Sequence, residues 1–121
     1  MHNLNYLCNE LKQNGFYTCI ETSGAYPLTG VWDWICVSPK KFKNPLIDVL
    51  KNADELKVIV YNKSDLKWAR EQAAFISEKC NLLLQPEYSR FTVVMPMIID
   101  FVKEHPQWQI SLQTHKIINV P

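Results

Sequence analysis

Five short, nearly all-apolar runs recur along this chain, and between them apolar residues fall three or four positions apart. The runs are FYTCI (16–20), WDWICV (32–37), ELKVIVY (55–61), NLLL (81–84) and WQISL (108–112). A strand with one wet face alternates apolar and polar residues, whereas a run that is apolar throughout suits a strand covered on both faces. The stretches between are amphipathic. Leu4, Leu7, Cys8 and Leu11 share a helical face that Gly15 brings to an end. Pro45 opens a short helix with Leu46, Val49, Leu50 and Ala53 on one side. Ser64 can cap a helix whose inner stripe is Leu66, Ala69, Ala73, Ile76 and Cys80. Phe91, Val94, Met95, Ile98, Phe101 and Val102 face inward on a longer helix, where Pro96 predicts a kink or a late start and Pro106 an end. The order is helix, strand, strand, helix, strand, helix, strand, helix, strand. It predicts an α/β fold: a parallel sheet with covering helices, either an open sheet or the arc of an incomplete (β/α) barrel.

The chain's 121 residues carry no repeat and no Gly/Ser linker, so residues 1–121 read as a single domain. A formal net charge of +1 offers no electrostatic footprint for nucleic acid or an anionic membrane. No apolar stretch approaches the ~18 residues of a membrane span, and the first residues lack the pattern of a signal peptide. A soluble, cytoplasmic protein is the expectation. Cys8, Cys19, Cys36 and Cys80 show no metal-binding spacing. All four read as reduced and structural, with Cys19 and Cys36 as small buried hydrophobes inside apolar runs.

The runs share one further property: most end in polar residues. Ile20 is followed by ETSG (21–24), Val37 by SPK (38–40), Leu84 by QPE (85–87) and Leu112 by QTHK (113–116). In parallel α/β folds the C-terminal strand ends lie along one rim, where ligands bind. Each group alone has a plainer reading: a turn at Thr22 and Ser23, a solvated basic loop after Lys40, a strand stop at Gln85-Pro86, a satisfied histidine at His115. Together they mark a candidate site. Gly24 permits close approach to the backbone, and Lys40 and Lys116 offer charges for a carboxylate. There is no Gly-rich phosphate loop, no Ser-His-Asp motif and no H-E-x-x-H.

In this order along the chain, ETSG, DWICVSPK, DELKVIV, LLLQPE and WQISLQTHK resemble 7-carboxy-7-deazaguanine synthase, a radical S-adenosylmethionine enzyme of queuosine and deazapurine biosynthesis. The resemblance implies a partial barrel that converts 6-carboxytetrahydropterin to 7-carboxy-7-deazaguanine, using a [4Fe–4S] cluster, S-adenosylmethionine and Mg²⁺. It implies substrate contacts at Thr22 and Pro121, with Gln113 and His115 contacting substrate or positioning the tail. It implies S-adenosylmethionine contacts at Gly24, Ser38, Pro39, Lys40 and Gln85. The family's CxxxCxxC loop and GGEP stretch do not occur in this sequence. The chain therefore resembles the C-terminal part of such an enzyme, with an expectation of no turnover by the chain alone. An uncovered edge on the first strand predicts a homo-oligomer. Two other readings stay open: a different radical S-adenosylmethionine protein, such as an activating enzyme, and a cluster-less module that binds a small ligand or a partner.

Overall fold

The alternation of apolar runs and amphipathic stretches is realised in the computed structural model, which describes residues 4–15 and 17–112. The elements are α1 (Asn5–Gln13), β1 (Cys19–Thr22), β2 (Trp34–Val37), α2 (Ile47–Lys51), β3 (Glu55–Val60), α3 (Lys63–Ala73), β4 (Asn81–Pro86), α4 (Phe91–Glu104) and β5 (Trp108–Ile110). A 3-10 turn, Tyr88–Arg90, leads into α4. The strands lie in the sheet in chain order, β1 to β5. The registers of β1 with β2, β2 with β3 and β4 with β5 are all parallel. The fold class expected from the pattern is the one observed. Among the described residues, no helix is long and apolar enough to cross a membrane.

Packing divides the chain into two compact units: residues up to Leu56 with Phe75–Cys80, and Lys57–Ala74 with the residues from Asn81 onward. In the first unit, β1 and β2 pair over their full length, Cys19 against Trp34 through Thr22 against Val37. Two carboxylates hold the strand entries. The Asp33 carboxylate accepts the Thr18 amide at 2.7 Å and the Thr18 hydroxyl at 3.0 Å. The Asp54 carboxylate accepts the Ile35 amide at 2.8 Å, and the Asp54 amide donates to the Ile35 carbonyl at 2.8 Å. On α2, Val49 and Leu50 are buried, as is Ala53 just beyond it, while Leu46, expected inward, is exposed at the helix N-cap. None of the four cysteines is in a disulfide; Cys8, Cys36 and Cys80 are buried, but Cys19 is exposed, contrary to the sequence expectation. The reason is its place: β1 is the terminal strand of the order, and the face bearing Cys19 and Glu21 is exposed.

In the second unit, Val58 and Val60 alternate with half-buried neighbours along β3 and are fully buried. The N-cap of α3 is Asn62, not Ser64. Asp65 decides this, because its carboxylate accepts the amides of Tyr61 (2.7 Å) and Asn62 (3.0 Å), closing a capping box. The helix stops at Ala73, so Ile76 and Cys80 lie beyond the stripe expected to hold them. Strand β4 runs two residues past Leu84, taking in Gln85 and Pro86. In α4, Val94 and Ile98 are fully buried, and Phe101 meets Trp108 edge-on at 6.1 Å. Pro96 lies inside that helix. The carbonyl it leaves without an amide is that of Thr92, and both residues are exposed, so water can serve it.

The entry carboxylate at Asp33 gives a pH prediction. Hydrogen bonds from Thr18, and then the nearby Lys12 ammonium, hold its pKa below the ordinary 3.8. A depressed folded pKa means stability that is full above the ordinary value and lost as the pH falls through the lower one. Acid titration of unfolding should therefore show a shallower low-pH limb in Asp33→Asn than in the unsubstituted chain. An unchanged limb would contradict this role.

Candidate functional site

Parallel, in-register pairing brings two of the polar strand ends together. Because Thr22 lies against Val37, the segments after β1 and β2 leave the sheet at one level. The Ser38 amide donates to the Thr22 carbonyl at 2.8 Å, carrying the pairing one step beyond the strands. Ser38 and Pro39 are buried, and Lys40 is exposed. Thr22, Gly24, Ser38, Pro39 and Lys40 thus occupy one rim, as the sequence pattern anticipates.

Local bonding gives these residues different parts. The Thr22 hydroxyl oxygen accepts the Gly24 amide at 3.1 Å. The Gly24 carbonyl accepts the Leu46 amide at 2.7 Å. Gly24 has φ +75°, and a Cβ there would come within 2.8 Å of the Pro45 Cβ and 3.3 Å of the Val37 Cγ1. The protein's own Pro45 thus makes the close approach that glycine allows, and both backbone polar groups have internal partners. Gly24 shapes the wall of the rim. Beyond Lys40 the chain turns back, with the Lys43 amide donating to the Lys40 carbonyl at 3.2 Å. The Lys43 ammonium sits 4.0 Å from the centre of the Tyr26 ring. Its hydrogen bond and charge lower the pKa of that phenol. The rim therefore carries a cationic loop, fixed at Lys43 and exposed at Lys40.

Below the rim lies a surface that the polar strand ends do not mark. Successive strand residues point to opposite faces. Register puts Cys19 beside Trp34, and Glu21, Cys36 and Glu55 in a row across β1, β2 and β3. The opposite face carries Val37 and Leu56, both fully buried. On the polar face the Trp34 indole Nε1 donates to one Glu55 carboxylate oxygen at 3.2 Å, and the Cys36 thiol lies 3.6 Å from the other. The signal was present as alternation inside CIET and WICV, but apolar runs hide it when Trp and Cys count as hydrophobic.

Gln85 belongs to the second unit, where it is only 3% exposed on β4 rather than past the strand end. Gln113, His115 and Pro121, with Lys116, lie outside the described residues. A cavity of about 590 Å³ opens in the first unit, lined by Trp32, Ile35, Leu46, Val49, Asp48 and Asp54 among others. Its lining joins the strand-entry residues Asp33, Ile35 and Asp54 to Leu46 and Val49, which neighbour Gly24, and Asp33 and Asp54 already hold backbone amides.

A metal cluster needs converging thiolates. Among the described residues, no three of His, Cys, Asp or Glu converge on a possible metal position. Burial, followed by the charges of Asp54 and Glu55, pushes the Cys80 thiol up to about 11, so it stays protonated at neutral pH. These residues do not fit an iron–sulfur cluster. Gly24, in contrast, is fitted closely to its surroundings in the rim. In urea unfolding, Gly24→Ala should destabilise the chain by about 1–3 kcal/mol, from positive φ and the Pro45 clash. A loss under about 0.5 kcal/mol would show that the turn relaxes freely.

No protein-family model matches the chain. Curated relatives do. A 7-carboxy-7-deazaguanine synthase of Flavobacterium psychrophilum is 50% identical over 95% of this chain and 55% of its own length. That of Synechocystis sp. is 44% identical over 99% of this chain and 57% of its own. The crystal structure of QueE from Escherichia coli superposes with a TM-score of 0.82 at 28% identity, over 93% of this chain and 51% of that one. The chain spans about half the length of the curated relatives it matches. Nearly all of it is thus similar to about half of a 7-carboxy-7-deazaguanine synthase.

Proposed function

We propose that this chain supplies one part of the active site of a 7-carboxy-7-deazaguanine synthase, which converts 6-carboxytetrahydropterin to 7-carboxy-7-deazaguanine. The observation that carries the reading is 50% identity to such a synthase over 95% of the chain. The rim agrees with it. Lys40 brings an exposed ammonium to a substrate or cofactor carboxylate. Thr22 accepts the Gly24 amide and keeps its hydroxyl hydrogen to donate to the substrate. Ser38, Pro39 and Gly24 form the adjoining wall, on the side assigned to S-adenosylmethionine. The carboxylates of Glu21 and Glu55 on the polar face suit the ring N–H groups of a pterin. Gln85 as a cofactor contact, and Gln113, His115 and Pro121 as substrate contacts, are proposed on the resemblance alone. A homo-oligomer is proposed on the sequence reading alone.

In the whole enzyme the iron–sulfur cluster, with S-adenosylmethionine and Mg²⁺, supplies radical chemistry. The described residues do not fit the cluster, so the chain's own part is to bind and orient. The competing reading is a cluster-less binding module, favoured by that same lack of converging ligands. One experiment separates them. After anaerobic treatment with iron, sulfide and reductant, the chain should release no 5′-deoxyadenosine. Calorimetry should still detect weak binding of S-adenosylmethionine and of pterin-6-carboxylate. Release of 5′-deoxyadenosine would refute the limit to binding, and failure to bind either molecule would favour the module.

A further inference from the structure

The polar face below the rim contains one side chain held more firmly than the sheet requires. Trp34 opens β2, half-buried, beside the exposed Cys19 of β1. An indole has one polar atom, its Nε1–H donor. Here that donor meets the Glu55 carboxylate at 3.2 Å, which fixes the ring's rotation about its side-chain bonds. The second carboxylate oxygen faces the Cys36 thiol at 3.6 Å. Glu55 is itself set by backbone register, directly beside Cys36. A carboxylate needs no indole to be satisfied in a half-exposed position, since water would serve it. What the arrangement produces is a flat aromatic surface at fixed orientation with a carboxylate at its edge.

We propose that Glu55 is a positioning residue that fixes the Trp34 indole as a stacking wall for a planar, nitrogen-rich ring bound on this face. The inference rests on the function proposed above, and to the carboxylates named there it adds the Trp34 indole, held in place by Glu55. Offset stacking on an indole contributes about 0.5–1.5 kcal/mol beyond burial of area. The remaining acceptor capacity of the carboxylate suits the N–H donors along the ring's edge. Glu21, on the same row across Cys36, adds a second carboxylate to that face. An adenine or a pterin ring meets the description, and a saturated or purely aliphatic ligand does not.

The test uses the whole chain and pterin-6-carboxylate, followed through its own fluorescence anisotropy and through the Trp34 indole N–H resonance. That resonance is assigned with Trp34→Phe. The unsubstituted chain should bind, and binding should move the Trp34 signal. Glu55→Ala should weaken binding roughly three- to tenfold and broaden the indole signal before ligand is added. Glu55→Gln, whose amide oxygen still accepts from the indole, should recover most of the affinity. Should Glu55→Ala not fold, Trp34→Phe and Glu55→Gln together still decide the matter, because Glu55→Gln is isosteric and Trp34→Phe keeps an aromatic ring while removing the indole donor. Binding that leaves the Trp34 signal still, or equal affinity in the chain, Glu55→Ala and Trp34→Phe, overturns the positioning role alone. No binding by the unsubstituted chain overturns the proposed function and this inference with it.

Discussion

The parallel, in-register pairing of β1 with β2 is the constraint on which the rest depends. Four residue pairs, Cys19 with Trp34 to Thr22 with Val37, set the height of both strands. A slip of one residue would exchange the faces of the sheet. Trp34 would then turn to the side where Val37 and Leu56 are buried, and Val37 to the polar side. The same register sends ETSG and SPK off the sheet together. A candidate rim therefore needs no local signal joining two segments separated by more than a dozen residues. It follows from strand pairing.

The two ends of these strands hold their polar atoms differently. At the entries, carboxylates satisfy backbone amides: Asp33 for Thr18, and Asp54 for Ile35. Those groups have structural work, and the nearby cavity inherits their charge without gaining a reactive group. At the exits, backbone bonds among Thr22, Ser38, Gly24 and Leu46 fix the turns. Side chains such as Lys40 are left to face outward.

Much of this was legible in the sequence because period and punctuation agree. Apolar runs marked every strand, Gly15 marked the end of α1, and the polar strand ends marked the rim. The misreadings have physical causes. Ser64 resembled a cap, but Asp65 can reach two amides at once, and that moved the cap to Asn62. Cys19 looked buried because its run is apolar, yet β1 is terminal and its outer face is exposed. Gln85 looked like the first residue past a strand, but β4 continues through Pro86. The polar face of Trp34, Cys36 and Glu55 escaped notice because residues counted as apolar carried its alternation. Glu55 gains its meaning only from register with Cys36.

The central claim is that the C-terminal ends of β1 and β2, with the face beneath them, bind the synthase ligands. The most direct measurement is amide and methyl chemical-shift mapping of the chain titrated with S-adenosylmethionine and pterin-6-carboxylate. The account predicts perturbations clustered at residues 21–24, 34–40 and 55. Perturbations confined to the cavity around Pro27, Trp32, Asp48 and Asn52 would contradict it and place binding in that cavity instead.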